Sequence, residues 1–347
     1  MARAIAGEIR ATLTPPQQAR LAGARRVDPE AYEAYLKGRQ ECAKYTNEGF
    51  EKGIAYFQQA ILKDPGFAAS QAALAECFCW AALHGVAKPI AVFPKARAAA
   101  TKALELDETL AEAHAALGAV TFLFDWDFRG AEKEFRRAVE LNPNSASARD
   151  QYGVYLVFLG RFDEGIAEMT RAQALDPASA AKKARSGLCR FIAGRHDEAI
   201  ADYRKALELD PKLSYVYAHL AWVYARKGLR SEAIATGEKA RKLLAPGKDL
   251  AFDAFLAEIY VQAGRRAEVL RWVELWESLP AERYVDGYIL AFMHSVLGNR
   301  NRAFQWLNRA YEERASGMPA LKTDPWWDTL RSDPRFQDLL RRVGFPE

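Results

Sequence analysis

The sequence predicts an all-α fold, a solenoid of about eight stacked helix–turn–helix units that ends in a capping helix. Three observations lead to this prediction. The 347-residue chain has an internal period of 34 residues, each unit carries two helical apolar stripes, and two further helix starts follow the last unit. Half of the residues are hydrophobic and 27% are charged, which provides for a core and excludes intrinsic disorder.

The period of 34 residues is carried by four residue types at independent positions, which chance rarely produces. A single helical unit cannot bury its own apolar face, so we expect the units to stack on one another. The recurring residues are Ala138, Ala172, Ala206 and Ala240; Pro143, Pro177 and Pro211; Gly160, Gly194 and Gly228; and Glu164, Glu198 and Glu232.

Two helices are predicted within each unit. Tyr217, Leu220, Ala221 and Tyr224 follow the i, i+3, i+4, i+7 spacing of one apolar helical face. Gly228 then ends this first helix in the position where glycine is favoured after a helix. The second helix begins with acidic residues, which the helix dipole favours in the first turn.

One unit in particular identifies the repeat type. Gly187, Ala199, Tyr203, Ala206 and Pro211 stand at positions 8, 20, 24, 27 and 32 of the unit that begins at residue 180. This pattern resembles the tetratricopeptide repeat (TPR) and implies a right-handed α-solenoid. The implied organisation is a helical lead-in at 1–29, a repeat array at 30–314 with units near 30–67, 68–110, 111–145, 146–179, 180–213, 214–249, 250–283 and 284–314, and a cap at 315–347.

The tail contains two helix starts of the same type. Asp324 and Asp333 are each followed by proline, the arrangement of an N-cap residue before a first-turn proline. Because the exposed end of a solenoid needs a cover, Trp326, Trp327 and the final helix are interpreted as a cap. A patch for homo-oligomerisation is the alternative interpretation of these residues.

A second resemblance concerns the context of the repeats. The segments 4–10, 13–15 and 29–39, together with the closing segment 330–340, are similar to sequences of bacterial multidomain signalling proteins. In those proteins a TPR array follows a nucleotide cyclase, a Ser/Thr kinase or a winged-helix DNA-binding domain. The resemblance implies that this chain corresponds to the sensory or scaffold half of such a protein.

The cysteines and the apolar segments indicate in which cellular compartment the protein is found. The four cysteines, Cys42, Cys77, Cys79 and Cys189, form no CxxC pair and are interpreted as buried free thiols. Residues 1–13 lack the apolar core of a secretory signal, and the longest apolar stretch, 115–124, is too short to span a bilayer. These observations predict a cytoplasmic protein that does not enter a membrane.

No pattern of catalytic, metal-binding or cofactor-binding residues was found. The sequence lacks GxGxxG, P-loop, HExxH and GxSxG motifs, and its five histidines have no ligand spacing. A net charge of +4 over this length does not form the basic stripe that nucleic-acid binding requires. We therefore expect no enzymatic activity, no cofactor and no nucleic-acid partner.

The remaining function class is the binding of a protein or peptide. By analogy with TPR arrays, positions 2, 5, 9 and 12 of each first helix line the concave surface, and aromatic rings at these positions suit an apolar partner segment. The alternative for any one ring is that it only fills the seam between neighbouring helices. The predicted partner-binding residues are Trp222, Phe292, Tyr215, Tyr288, Phe191 and Phe122.

Two functions remain open at this point. The first is a non-enzymatic scaffold that binds an apolar peptide or protein segment in the concave groove. The second is a regulatory or self-associating module that docks on a catalytic or DNA-binding domain of a signalling protein. The Lys/Asn/Arg set that some TPR domains use to hold a C-terminal carboxylate is missing, which disfavours the capture of chaperone tails.

Overall fold

The computed structural model describes residues 25–244, 249–280 and 283–346, and within these ranges the chain is all-helical and contains no strand. The predicted all-α solenoid is confirmed. None of the described helices combines the length and the hydropathy needed to cross a membrane. Most of the predicted lead-in at 1–29 lies outside the described residues.

Among the described residues, eight helix pairs follow one another and a seventeenth helix comes after the last pair. The pairs are α1 (Pro29–Cys42) with α2 (Asn47–Lys63), α3 (Ala68–Leu83) with α4 (Pro89–Leu106), α5 (Ala111–Val120) with α6 (Phe128–Leu141), α7 (Ala146–Phe158) with α8 (Phe162–Leu175), α9 (Ala180–Ile192) with α10 (His196–Leu209), α11 (Ser214–Arg226) with α12 (Arg230–Leu243), α13 (Leu250–Gln262) with α14 (Arg266–Glu277), and α15 (Gly287–Val296) with α16 (Arg300–Glu312); the last helix is α17 (Pro334–Val343).

The periodic glycines end the first helices of the later pairs. Gly160, Gly194, Gly228, Gly264 and Gly298 all have φ between +73° and +86°, a region that glycine enters without steric cost. Each of these residues redirects the chain into the second helix of its pair. The predicted helix–turn–helix unit therefore has a local cause in backbone conformation.

Close contact within a pair explains the glycine at position 8 of the repeat. A Cβ atom on Gly187 would lie 2.9 Å from Cε1 of Tyr203, which stands at position 24 of the same unit. The same arrangement recurs at Gly118, where a Cβ atom would lie 3.1 Å from the ring of Phe135. A small residue on one helix thus makes room for an aromatic ring on the other.

The array coils tightly enough for distant units to touch. The ring of Tyr45, in the turn after α1, lies 6.3 Å from the ring of Tyr215 on α11. Further along the coil, the rings of Phe128 and Phe345 stack at 5.2 Å. Units that are far apart in the sequence therefore approach one another across the concave side.

The tail between α16 and α17 runs into this axis. We call residues 318–330 the C-terminal segment; it contains two short 3₁₀ turns, Met318–Ala320 and Pro325–Trp327. The hydroxyl of Thr323 donates a hydrogen bond to the carbonyl of Phe158 at 3.0 Å, which ties the tail to α7. Helix α17 packs on α16, whereas Trp326 lies on the concave side and does more than cover the end of the array.

The cysteine prediction was wrong for two of the four residues. Cys42 and Cys77 form a disulfide with their Cα atoms 6.3 Å apart, while Cys79 and Cys189 are free and buried. The two bonded residues are 35 positions apart, about one repeat, so the stacking of α1 on α3 brings them together. A Cβ atom on Gly53 would lie 2.2 Å from Sγ of Cys42, so this position has room only for glycine.

The disulfide also removes one argument for a cytoplasmic location, namely that all four cysteines are free thiols. Disulfides form and persist in oxidising environments and are rare where thiol reductants are maintained. The interpretation of all four cysteines as free thiols had supported a cytoplasmic location. That support no longer holds, because one pair is oxidised.

Removing the disulfide is expected to lower the free energy of unfolding by about 3–4 kcal/mol, because the bond closes a loop of 35 residues in the unfolded chain. Chemical denaturation of the wild type and of Cys42→Ser/Cys77→Ser measures this difference. Addition of a reductant should destabilise the wild type and leave the double variant unchanged. Alkylation of four thiols in the unreduced, denatured wild type would contradict the prediction.

Candidate functional site

The concave side of the coil encloses a cavity of about 190 Å³, which we call the axial cavity. Its wall is mostly carbon and comes from the early, middle and late pairs and from the C-terminal segment. The lining residues include Tyr45, Trp80, His84, Val154, Phe158, Ala184, Arg185, Leu188, Ile192, Tyr215, His219, Trp222, Ala251, Phe255, Asp286, Tyr288, Ile289, Ala320, Asp324 and Trp326.

Arg185 is the one cation that the described residues contribute to this lining. Its guanidinium forms an ion pair with Asp150, donates a hydrogen bond to the hydroxyl of Tyr45, and lies 4.4 Å from the ring centroid of Trp80. Burial disfavours the charge of Arg185, but Asp150 and Tyr45 outweigh burial, so the pKa of Arg185 lies above its usual value. The charge is therefore held by internal partners and joins the first pair to the fourth and fifth.

Two histidines in the wall are uncharged at neutral pH. Burial lowers the pKa of His84 to about 4, with a further contribution from Arg185. Burial also lowers the pKa of His219 to about 3, and its ring packs 4.1 Å from the ring of Phe255. Both rings are therefore uncharged parts of the wall near neutral pH.

Two carboxyl groups also line the axial cavity. Burial raises the pKa of Asp286 and of Asp324 to about 6 each. Asp324 accepts a hydrogen bond from the hydroxyl of Tyr288 at 2.8 Å, and that hydroxyl accepts one from Nε1 of Trp327 at 2.7 Å. These bonds attach the C-terminal segment to α15.

Three of the six predicted partner-binding residues line the axial cavity: Tyr215, Trp222 and Tyr288. Tyr215 is half-buried, whereas Trp222 and Tyr288 are only 2% and 3% exposed. Nε1 of Trp222 donates a hydrogen bond to Glu258 at 2.7 Å, which fixes the orientation of its ring. The structure therefore brings these three rings together around one space.

The other three predicted residues do not line this cavity. Phe191 lies behind Trp222, with the two ring centroids 4.3 Å apart, and Phe292 is covered by Trp326. Phe122 borders a separate small cavity of about 30 Å³. All three rings are at most 3% exposed, so none of them forms part of an open surface.

Sequence reasoning missed Tyr45, Arg185 and Phe255 as parts of the site. Tyr45 has a positive φ of 51° in the turn after α1 and reaches the cavity only because the coil closes. No feature of the local sequence could reveal the contact between Tyr45 and Arg185, since these residues are 140 positions apart. Trp326 was singled out, but as part of a cover and not as part of the concave surface.

Comparison with known proteins identifies the repeat. A family model described as a TPR repeat matches residues 187–228. The transcriptional regulator HilA of Salmonella typhimurium is 29% identical over 132 residues, which is 38% of this chain; the match spans only 24% of the regulator's length.

Solved structures with similar helices include TPR proteins. The pilus biogenesis factor PilW is 19% identical, with a TM-score of 0.49, and the match covers 62% of this chain and 94% of PilW. YrrB, a TPR protein with an unusual peptide-binding site, is 21% identical with a TM-score of 0.39 over 60% of this chain and 97% of YrrB. The family model therefore identifies a TPR repeat at residues 187–228, which spans parts of two of the eight described helix pairs.

Proposed function

We propose that this protein is a non-enzymatic scaffold that binds an apolar side chain of a partner protein or peptide in the axial cavity. The observation that carries the proposal is the cavity itself, an apolar space of about 190 Å³ on the concave side of the array. A cavity of roughly 150 Å³ accommodates a benzene ring, so this space suits a residue the size of leucine or phenylalanine. The TPR fold supports a role in protein–protein interaction.

The composition of the wall favours this kind of ligand. Aromatic rings supply large contact areas with little conformational freedom, and they dominate the energetics of many interfaces. Arg185 already has an internal partner in Asp150, and the two histidines are neutral at neutral pH. The carboxylates of Asp286 and Asp324 each accept a hydrogen bond from a backbone N–H, so the polar groups of the wall are already engaged within the protein. An apolar anchor therefore fits this wall better than a charged one.

Filling the cavity tests the proposal. Ala251 lines the axial cavity, and Ala251→Phe places a ring in that space, while Ala201→Phe places the same ring on an exposed face of α10. Peptides selected from a random displayed library on the wild type should bind Ala201→Phe equally and Ala251→Phe about thirtyfold more weakly, the size of an anchor effect. Thermal melting checks that both variants fold.

Equal binding of the selected peptides to Ala251→Phe and to the wild type would contradict the proposal. Such a result would move the binding surface away from the axial cavity. Because the control variant introduces the same side chain, it separates filling of the cavity from a general increase in hydrophobic surface.

A second candidate function is a regulatory module of a larger signalling protein. It is supported by the partial similarity to HilA, whose description is a transcriptional regulator. In this role the array would dock on another domain or on a second copy of itself. Sedimentation over a range of concentrations tests self-association, and a constant monomer mass would exclude that form of the proposal.

A further inference from the structure

The aromatic surface beside the axial cavity is occupied by the chain's own Trp326. Its ring lies parallel to that of Phe292, with a centroid distance of 4.2 Å and an angle of 7°. The ring of Phe255 lies at 5.2 Å, and that of Trp222 at 6.1 Å. Trp326 is 7% exposed, so it sits in this surface as a bound aromatic anchor would.

Polar contacts also hold the 3₁₀ turn that contains Trp326 (Pro325–Trp327). Nη2 of Arg226 donates a hydrogen bond to the carbonyl of Pro325 at 3.0 Å and forms an ion pair with Asp328. Asp324 caps the turn by accepting a hydrogen bond from the backbone N–H of Trp326 at 3.0 Å. The array therefore contacts the backbone, the cap and the ring of a single Asp-Pro-Trp turn.

Trp326 is held less firmly than its neighbour Trp327, which is fully buried and donates a hydrogen bond to the hydroxyl of Tyr288. The docked segment is a 3₁₀ turn of three residues and lacks the continuous hydrogen bonding of the array helices. Among the described residues, Nε1 of Trp326 has no hydrogen-bond partner although it is buried, which weakens the docking. The turn also leaves the adjoining axial cavity unfilled.

We propose that the turn at residues 324–326 is an intramolecular occupant of a surface that recognises an Asp-Pro-aromatic turn, and that a partner segment of this chemistry displaces it while Trp327 stays in the core. This proposal rests on the proposed function, because it names the partner chemistry on the same concave side. A tethered occupant competes with an effective concentration in the millimolar range. A partner segment binds more tightly than the tethered turn when it also places a second apolar side chain in the axial cavity.

A labelled peptide of residues 320–331 tests the proposal by fluorescence anisotropy. In Trp326→Ala the tethered segment loses its anchor, so this full-length variant should bind the peptide at least tenfold more tightly than the wild type does. A control peptide with alanine in place of Trp326 should not show this gain. Equal affinity of the labelled peptide for both proteins would overturn the proposal.

A second variant keeps the aromatic pocket intact in case Trp326→Ala folds poorly. Asp328→Asn removes the ion pair with Arg226, and Asp328 is largely exposed. We expect faster hydrogen exchange in residues 318–330 with unchanged exchange in α11, and a peptide affinity between those of the wild type and Trp326→Ala. Hydrogen exchange in the C-terminal segment of Asp328→Asn that equals that of the wild type would contradict the proposal that a partner displaces the turn.

The assays distinguish this proposal from the proposed function. The peptide experiment changes the occupant at Trp326, whereas Ala251→Phe fills the axial cavity that Ala251 and Trp326 both line. Equal peptide affinity for the wild type and Trp326→Ala contradicts this proposal alone, because peptides selected on the wild type can still depend on the cavity. Sedimentation of the wild type tests whether a second copy of the chain supplies the occupant instead. A dimer that is lost in Trp326→Ala would place the segment of a second copy in the surface and overturn the intramolecular assignment.

Discussion

Replacing Trp222 with alanine is expected to lower the free energy of unfolding by about 3–5 kcal/mol, the usual range for a large buried aromatic residue. Trp222 is 2% exposed and packs edge-on against Phe191 at 4.3 Å. The substitution leaves a void among the first helices and removes the hydrogen bond to Glu258. Chemical denaturation followed by circular dichroism measures the loss.

Two further variants control this prediction. Trp222→Phe retains most of the apolar volume and should lose considerably less stability than Trp222→Ala. Leu62→Ala removes an apolar side chain that is 82% exposed, so its effect should stay within about 0.5 kcal/mol. A Trp222→Ala variant as stable as Leu62→Ala would show that the ring is not part of the core.

This expectation changes how binding data for Trp222 are interpreted. A loss of partner binding in Trp222→Ala can follow from a damaged array as well as from a lost contact. The same reservation applies to Phe292, which is 3% exposed beneath Trp326. Filling the axial cavity from Ala251 therefore tests the site more directly than truncating either ring.

Acidification from pH 6.5 to 5 is expected to reduce stability through His84 and His219 by about 2 kcal/mol for each residue. In the native state their pKa values are lowered to about 4 and about 3, whereas the unfolded chain takes up these protons near pH 6.5. The unfolded state thus binds more protons in this window, and stability is lost as the pH falls. Denaturation of the wild type and of His84→Gln/His219→Gln at both pH values measures the difference.

Opposing groups are present in both proteins and cancel in this comparison. The raised pKa values of Asp286 and Asp324 stabilise the native state as the pH falls through about 6. His114 provides a control of opposite sign, because its hydrogen bond to Glu134 raises its pKa. His114→Gln should lose more stability on acidification than the wild type, and equal pH profiles for all three proteins would contradict the assignment.

The candidate site was predictable only in part. Tyr215, Trp222 and Tyr288 were found because their positions in the repeat place them on first helices that face inward. The same rule also selected Phe191 and Phe292, which are buried behind other rings. A repeat position specifies the face of a helix, but not whether another segment covers that face.

The helix pairs and their order follow from the sequence alone, since they depend on local causes. The glycines at 160, 194 and 228 permit the positive φ that ends each first helix, and the apolar stripes require a neighbouring unit. Tertiary structure alone decided that Tyr45 meets Arg185, that Cys42 bonds Cys77, and that Trp326 fills the concave surface. Those contacts depend on the superhelical path, in which small rotations between successive units add up along the whole array.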